Sequence, residues 1–158
     1  MYRNVLTVVV VLIFLSGCAE RAIDITDKEG KIVVGCNAGY DWHFYGLQDS
    51  IDYMLYECAK GSIANGFKVS DERLLTLDFT LPPPEGESWN KQLAMYHFHK
   101  NTITERKLGY ILAAIEFDYQ KIVWSAENDL ASGDITQAEF NDIVKEAKLR
   151  WLGEKNTS

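Results

Sequence analysis

The pattern of apolar and polar positions changes period several times along the chain, and each change marks an element. Residues 5–15 are apolar throughout except for Thr7, and residues 1–4 ahead of them carry one positive charge, Arg3. That run is too short for a bilayer-crossing helix, which takes roughly 20 apolar residues. It has the length of a secretory signal core. Residues 19–30 are polar and charged with little periodicity, which predicts a tether with a short strand at 23–25. The β-branched run Ile32-Val33-Val34 predicts a short buried strand. Tyr40, Trp42, Phe44 and Tyr45 then crowd into an aromatic segment between glycines, read as an ordered loop.

Helical spacing follows. Ile51, Met54, Leu55, Cys58 and Ser62 share one helical face, with Asp49 or Ser50 placed to cap it and Asn65-Gly66 to end it. Leu75, Leu77, Phe79 and Leu81 alternate with Leu74, Thr76, Asp78 and Thr80, a period of two that predicts a strand stopped by Pro82-Pro83-Pro84. Residues 89–100 fit neither period cleanly and lean to helix from Ser88. Leu108, Ile111, Leu112, Ile115, Tyr119, Ile122, Ala126 and Leu130 form one long stripe, predicting a helix over about 103–131 behind a capping box of Thr102 and Glu105. Ser132-Gly133 breaks it. Thr136 and Glu139 supply a second capping box ahead of the stripe Phe140, Ile143, Val144, Ala147 and Trp151, closed by Gly153. Two amphipathic helices on a short glycine turn predict an antiparallel hairpin.

The chain of 158 residues is long enough for one domain, and its 47% apolar and 25% charged content is that of a globular protein. Its net charge of −7 argues against nucleic acid as a partner and against polybasic attachment to anionic lipid.

The signal-like run ends in Leu15-Ser16-Gly17-Cys18, which resembles the lipobox of bacterial lipoproteins. The resemblance implies removal of residues 1–17, diacylglyceryl transfer to the Cys18 thiol and acylation of the new amino group. The covalent lipid on Cys18 is then the membrane anchor, and three acyl chains would hold durably where one holds marginally. In that family an Asp after the lipidated Cys favours inner-membrane retention in enteric bacteria. Here it is Ala19, which implies the outer membrane of a Gram-negative envelope, facing the periplasm. Lipidation uses one of three cysteines. Cys36 and Cys58 remain, in a compartment that permits a disulfide. Cys58 lies on the apolar helical face, where it would meet Cys36 at the end of the Ile32–Val34 strand.

Residues 130–152 carry a second resemblance. Leu130-Ala131-Ser132-Gly133-Asp134-Ile135-Thr136-Gln137-Ala138-Glu139-Phe140 is similar to the short C-terminal helical SHOCT motif, which implies oligomerisation or docking rather than catalysis. The chain departs from that pattern in having a long helix ahead of the motif and no second copy.

Candidate chemistry is sparse. His97 and His99 would share a face on a strand and could hold zinc, with His43 as a third ligand; on a helix they would diverge. Gly133, Ile135 and Glu139 match calcium-loop positions, but Leu130 falls where an oxygen ligand is needed. Tyr40, Trp42, Phe44 and Tyr45 could stack on a sugar ring, anchor a partner protein, or cover a small core. There is no nucleophile elbow, phosphate loop or dinucleotide fingerprint.

The sequence therefore predicts an α+β protein: a small sheet with a disulfide-linked helix, packed on a C-terminal antiparallel helical hairpin. Residues 1–17 are the signal peptide, 18–30 a lipidated tether, 31–153 one periplasmic domain with 103–153 as the hairpin, and 154–158 a tail. The expected function is that of a non-enzymatic envelope lipoprotein, without cofactor, acting on an envelope protein partner. The alternatives are a cell-wall glycan binder using residues 40–45 and a small metal-dependent enzyme using His43, His97 and His99.

Overall fold

The computed structural model describes residues 19–40 and 45–155. Strands β1 (Ala19–Thr26) and β2 (Ile32–Tyr40) form an antiparallel hairpin, with Ala19 opposite Tyr40 and Ile23 opposite Cys36. Helix α1 (Leu47–Ala64) follows, then the two-residue strand β3 (Lys68–Val69), which pairs with β1 at Ile25 and Thr26. The sheet order is β2-β1-β3. A 3₁₀ turn (Glu72–Thr76) leads through an irregular segment to α2 (Lys91–His99), α3 (Glu105–Ser132) and α4 (Gln137–Leu152). The α+β architecture, with a C-terminal helical pair, is the one the residue pattern predicts.

Alternation explains the sheet's inner face. Ile23, Ile25, Cys36, Ala38 and Val69 are buried there, and α1 covers them with Ile51, Leu55 and Ala59. The Cys36–Cys58 disulfide forms, with the two Cα atoms 6.0 Å apart, and fastens α1 to β2. A second core gathers Ala94, Leu108, Ile111 and Leu112, with Trp89, Phe98 and Ile115 partly buried around it. Helix α3 stands between the two cores, and its residues Leu108 to Ala113 are buried on every side.

Where α1 crosses α3 the backbones nearly touch. A Cβ on Gly109 would stand 2.5 Å from the Gly46 carbonyl oxygen, so neither position has room for a side chain. Gly46 also takes a left-handed φ of 56° as the residue that starts α1. The Ser50 hydroxyl lies 2.9 Å from the Gly109 carbonyl oxygen and 3.1 Å from that of Gly46, and donates its proton there. The Gly46 N–H donates to the Glu105 carboxylate at 3.0 Å.

Several local expectations are corrected. Residues 19–26 are not a tether but the central strand, because Ile23 and Ile25 fill the core under α1. Ile32, Val33 and Val34 are not buried: they lie at the far end of the edge strand and are 57%, 43% and 46% exposed. Residues 74–81 form no strand. The Asp71 side chain accepts the Arg73 N–H and starts the 3₁₀ turn, burying Leu74 and turning Leu75 to solvent. Phe79 then inserts among Tyr56, Tyr110 and Tyr53, ring centroids 4.5, 4.9 and 6.0 Å away. Helix α3 is capped by Thr104, whose hydroxyl accepts the Lys107 N–H, and not by Thr102, because Glu105 reaches to Gly46 instead. Helix α1 starts ahead of Asp49, at Leu47. The second capping box, Thr136 with Glu139, is present as expected.

Candidate functional site

The hairpin of α3 and α4 is antiparallel, since Tyr119 stacks on Trp151 with ring centroids 5.3 Å apart while α4 begins just past the α3 C-terminus. The second stripe read in the sequence faces the first across this seam. The seam is not filled at its inner end. A cleft of about 500 Å³ opens between α3, α4 and the residues ahead of α2, lined by Trp89, Ile115, Tyr119, Ile122, Ala147 and Trp151. Asp118, Lys121 and Arg150 also border it. Aromatic walls with a few charged groups have the character of a site that takes an apolar group.

The walls are held from outside the hairpin. The Trp89 indole N–H donates to the Leu81 carbonyl oxygen at 3.1 Å, which fixes the ring. The Asn90 side chain accepts the Leu93 N–H at 2.9 Å and starts α2. Gly153, at the end of α4, packs so closely on it that a Cβ would stand 2.3 Å from Asn90 Oδ1. The Lys91 ammonium lies 5.5 Å from the centre of a Trp151 ring, within cation–π range. Glu116, on α3, is 5% exposed. Burial pushes its carboxyl up against the opposing hydrogen bond from Gln120 and the charge of Lys91. Its Oε1 accepts from Gln120 at 3.1 Å, while Oε2 has no hydrogen-bond partner among the described residues.

A separate charged cluster lies under the sheet. Asp52, 3% exposed on α1, accepts from both Arg73 guanidinium nitrogens at 2.6 and 2.7 Å and from Arg21 of β1. Asp71 lies 3.3 Å from Arg73 and 3.5 Å from Arg21. Burial alone would raise the Asp52 carboxyl, but the hydrogen bonds and charges of Arg73 and Arg21 outweigh it and hold it below the usual range. A carboxylate held ionised with its oxygens engaged this way is a poor proton acceptor; it fastens α1, β1 and the 3₁₀ turn together.

Of the candidate site residues read from the sequence, none of those described lines the cleft, whose apolar walls come from the two helical stripes. Cys18, Trp42, His43 and Phe44 lie outside the described residues. Tyr40 ends β2, opposite Ala19. Tyr45 is 40% exposed and meets Phe98 edge to face at 5.4 Å. His97 and His99 stand on helix α2, so the shared strand face that zinc chelation needed is absent. The His97 Nδ1 lies 2.8 Å from the Thr102 hydroxyl, and His99 is exposed. Among the described residues no group of three His, Cys, Asp or Glu side chains could hold a metal, and no helix is long and apolar enough to cross a membrane.

Tyr119 and Trp151 were visible as stripe residues, but the gap between the stripes was not. Asp52 gave no local signal, because its partners Arg21 and Arg73 are 31 and 21 residues away. No family model matches the chain, and no curated protein or solved structure matches it.

Proposed function

We propose that the chain is a lipid-anchored lipoprotein of the bacterial envelope, probing the periplasm from the outer membrane, and that it works by binding another protein rather than by catalysis. The observation that carries the binding reading is the open aromatic cleft between α3, α4 and Trp89, whose walls are fixed by contacts from outside the hairpin. The lipobox-like Leu15-Ser16-Gly17-Cys18 supports the anchor, with Cys18 carrying the lipid. The SHOCT-like residues 130–152 form the turn and α4, one wall of the cleft, and that resemblance also implies docking. The partner is an envelope protein offering an apolar or aromatic side chain to the cleft.

Two measurements test this. Mass spectrometry of the mature protein should find an N-terminal acylated Cys18; a mature chain starting elsewhere refutes the anchor. A photo-crosslinking amino acid at Ser125, which lines the cleft, should give a discrete adduct in cells, and one at the exposed Lys60 should not. Placing Glu at Ile122 should abolish the Ser125 adduct. An adduct unchanged by Ile122→Glu, or none from well-anchored protein, refutes the cleft as the binding site.

A further inference from the structure

We infer that one end of the domain, where β1 and α3 begin and α2 ends, rests in the lipid headgroup layer and fixes the orientation of the molecule. The inference rests on lipidation of Cys18. Strand β1 starts at Ala19, so a single peptide unit of about 3.8 Å would separate the lipidated residue from the sheet. With no tether, the end of the sheet carrying Ala19 and its partner Tyr40 must lie at the bilayer surface.

The other elements that meet there follow from their contacts. Helix α1 starts at this end, because it follows β2 and runs back along the sheet to the Cys36–Cys58 bridge. Helix α3 starts beside it: Glu105 accepts from the Gly46 N–H at 3.0 Å, and Arg106 donates to Asp49 at 3.1 Å. Helix α2 ends beside it, through the Tyr45–Phe98 contact at 5.4 Å. The surface so assembled exposes Tyr45 and Tyr96, 40% and 56% accessible, with Lys100 5.8 Å from the centre of the Tyr96 ring. Tyrosines beside a lysine suit the boundary between acyl chains and headgroups, where a ring can enter and the ammonium can reach phosphate.

Charge permits the contact. At this end Arg106 is paired with Asp49, Glu105 is engaged by the Gly46 N–H, and the Lys100 ammonium stands over the Tyr96 ring, so a cation is offered to the lipid beside carboxylates that already have partners. The distance along α3 from Glu105 to Tyr119 is about 21 Å at 1.5 Å per residue. The cleft is therefore held above the lipid at a set height, and the turn at Gly133 points away from it.

The test uses the full lipidated protein in vesicles of phosphatidylethanolamine and phosphatidylglycerol. Nitroxides are attached at Asn101→Cys, on the lipid-facing end, and at Asp134→Cys, beside the far turn. The label at 101 should be relaxed strongly by nickel-chelating lipid headgroups and weakly by a water-soluble nickel complex, with the reverse at 134. Lys100→Glu, alone and with Tyr96→Asp, should return the 101 label to water while the protein stays vesicle-bound. A 101 label in water on vesicle-bound wild-type protein overturns the orientation and leaves the lipoprotein reading intact. Shielding from the soluble complex without contact to the lipid-borne nickel means that a protein covers this end, which also overturns it. Protein that carries no lipid on Cys18 removes both.

Discussion

Gly109→Ala isolates the closest approach in the fold. The added methyl would stand 2.5 Å from the Gly46 carbonyl oxygen and 3.2 Å from the Asp49 Cβ. The nearest obstacle is backbone, so no side-chain rotation relieves it, and α1 and α3 must separate. Separation lengthens the 2.9 Å hydrogen bond from Ser50 to the Gly109 carbonyl and the 3.0 Å one from Gly46 to Glu105. Overpacking of a tight contact costs about 1–3 kcal/mol, and a backbone obstacle belongs at the upper end. Against it stands the gain of about 1 kcal/mol when Ala replaces Gly inside a helix. The net expectation is a loss of about 2 kcal/mol. With a urea m-value of about 2 kcal/mol/M, the unfolding midpoint should fall by about 1 M. Gly61→Ala is the matched control, since Gly61 is an exposed residue of α1 with nothing within 4 Å of its would-be Cβ. It should gain about 0.4–1 kcal/mol. Urea melts of both variants by circular dichroism decide the matter. A Gly109→Ala protein at least as stable as wild type would refute the argument that this helix crossing depends on glycine.

Other perturbations follow from the same contacts. Cys36 and Cys58 are 22 residues apart, so replacing both by Ala should cost about 3 kcal/mol by loop entropy, read as a lower midpoint; an unchanged midpoint would show that the bridge does not constrain the unfolded chain. Asp52→Asn should lose about 2 kcal/mol at neutral pH, the scale of hydrogen bonds to charged groups, because Arg21 and Arg73 keep partial access to water and are not stranded. The folded Asp52 carboxyl titrates below its unfolded value near 4, so its contribution is present above that pH and is lost as pH falls through the depressed value. The gap between Asp52→Asn and wild type should accordingly close in acid, and a gap constant from pH 7 to 2 contradicts the ion-pair account. Glu116 has the opposite sign: its folded carboxyl titrates above the unfolded value, so the stability linked to it is full below about pH 4 and is lost as pH rises through the raised value. Glu116→Gln should stabilise the protein at pH 7 and change little below pH 4; destabilisation at pH 7 would mean that the carboxylate is needed there.

The readable parts of the fold were those in which one residue type has one local use. Thr136 and Glu139 form the expected capping box because both of its hydrogen bonds close within four residues. Thr102 and Glu105 have the same spacing, yet Glu105 is drawn to Gly46, 59 residues away, and Thr104 caps instead. Periodicity failed for a related reason. The alternation at 74–81 does place Leu77 and Phe79 toward one core and Leu81 toward the other, but no neighbouring strand is there to pair with. In Ile32-Val33-Val34, β-branched residues mark a strand without saying whether it is central or at an edge; β2 is an edge, and they are exposed. The charged residues of 19–30 showed only the short strand at 23–25 and hid its full extent and central place, because two isoleucines, Ile23 and Ile25, suffice to bury its inner face.

The position of the cleft follows from how α3 is rooted. From Leu108 to Ala113 the helix is buried all round, held by the glycine crossing with α1 on one side and by α2 on the other. Past Glu116, Ala126 is its one buried residue, and α4 is the element that covers that half. A helix fixed over its first turns and lightly clad beyond them has, where the two halves meet, its uncovered stretch closest to the fixed part. Trp89, Asn90 and Lys91 all make their contacts at that junction, against Leu81, Gly153 and Trp151. An apolar group entering between Tyr119 and Trp89 would therefore meet walls already ordered in the free protein, which lowers the entropic cost of binding. The seam farther along the hairpin is lined by Ile122, Ile143, Glu146, Ala147 and Arg150, from α3 and α4 alone, with no bracing from the residues around α2. That difference is the physical reason for placing the binding site at the root of the hairpin rather than along its length.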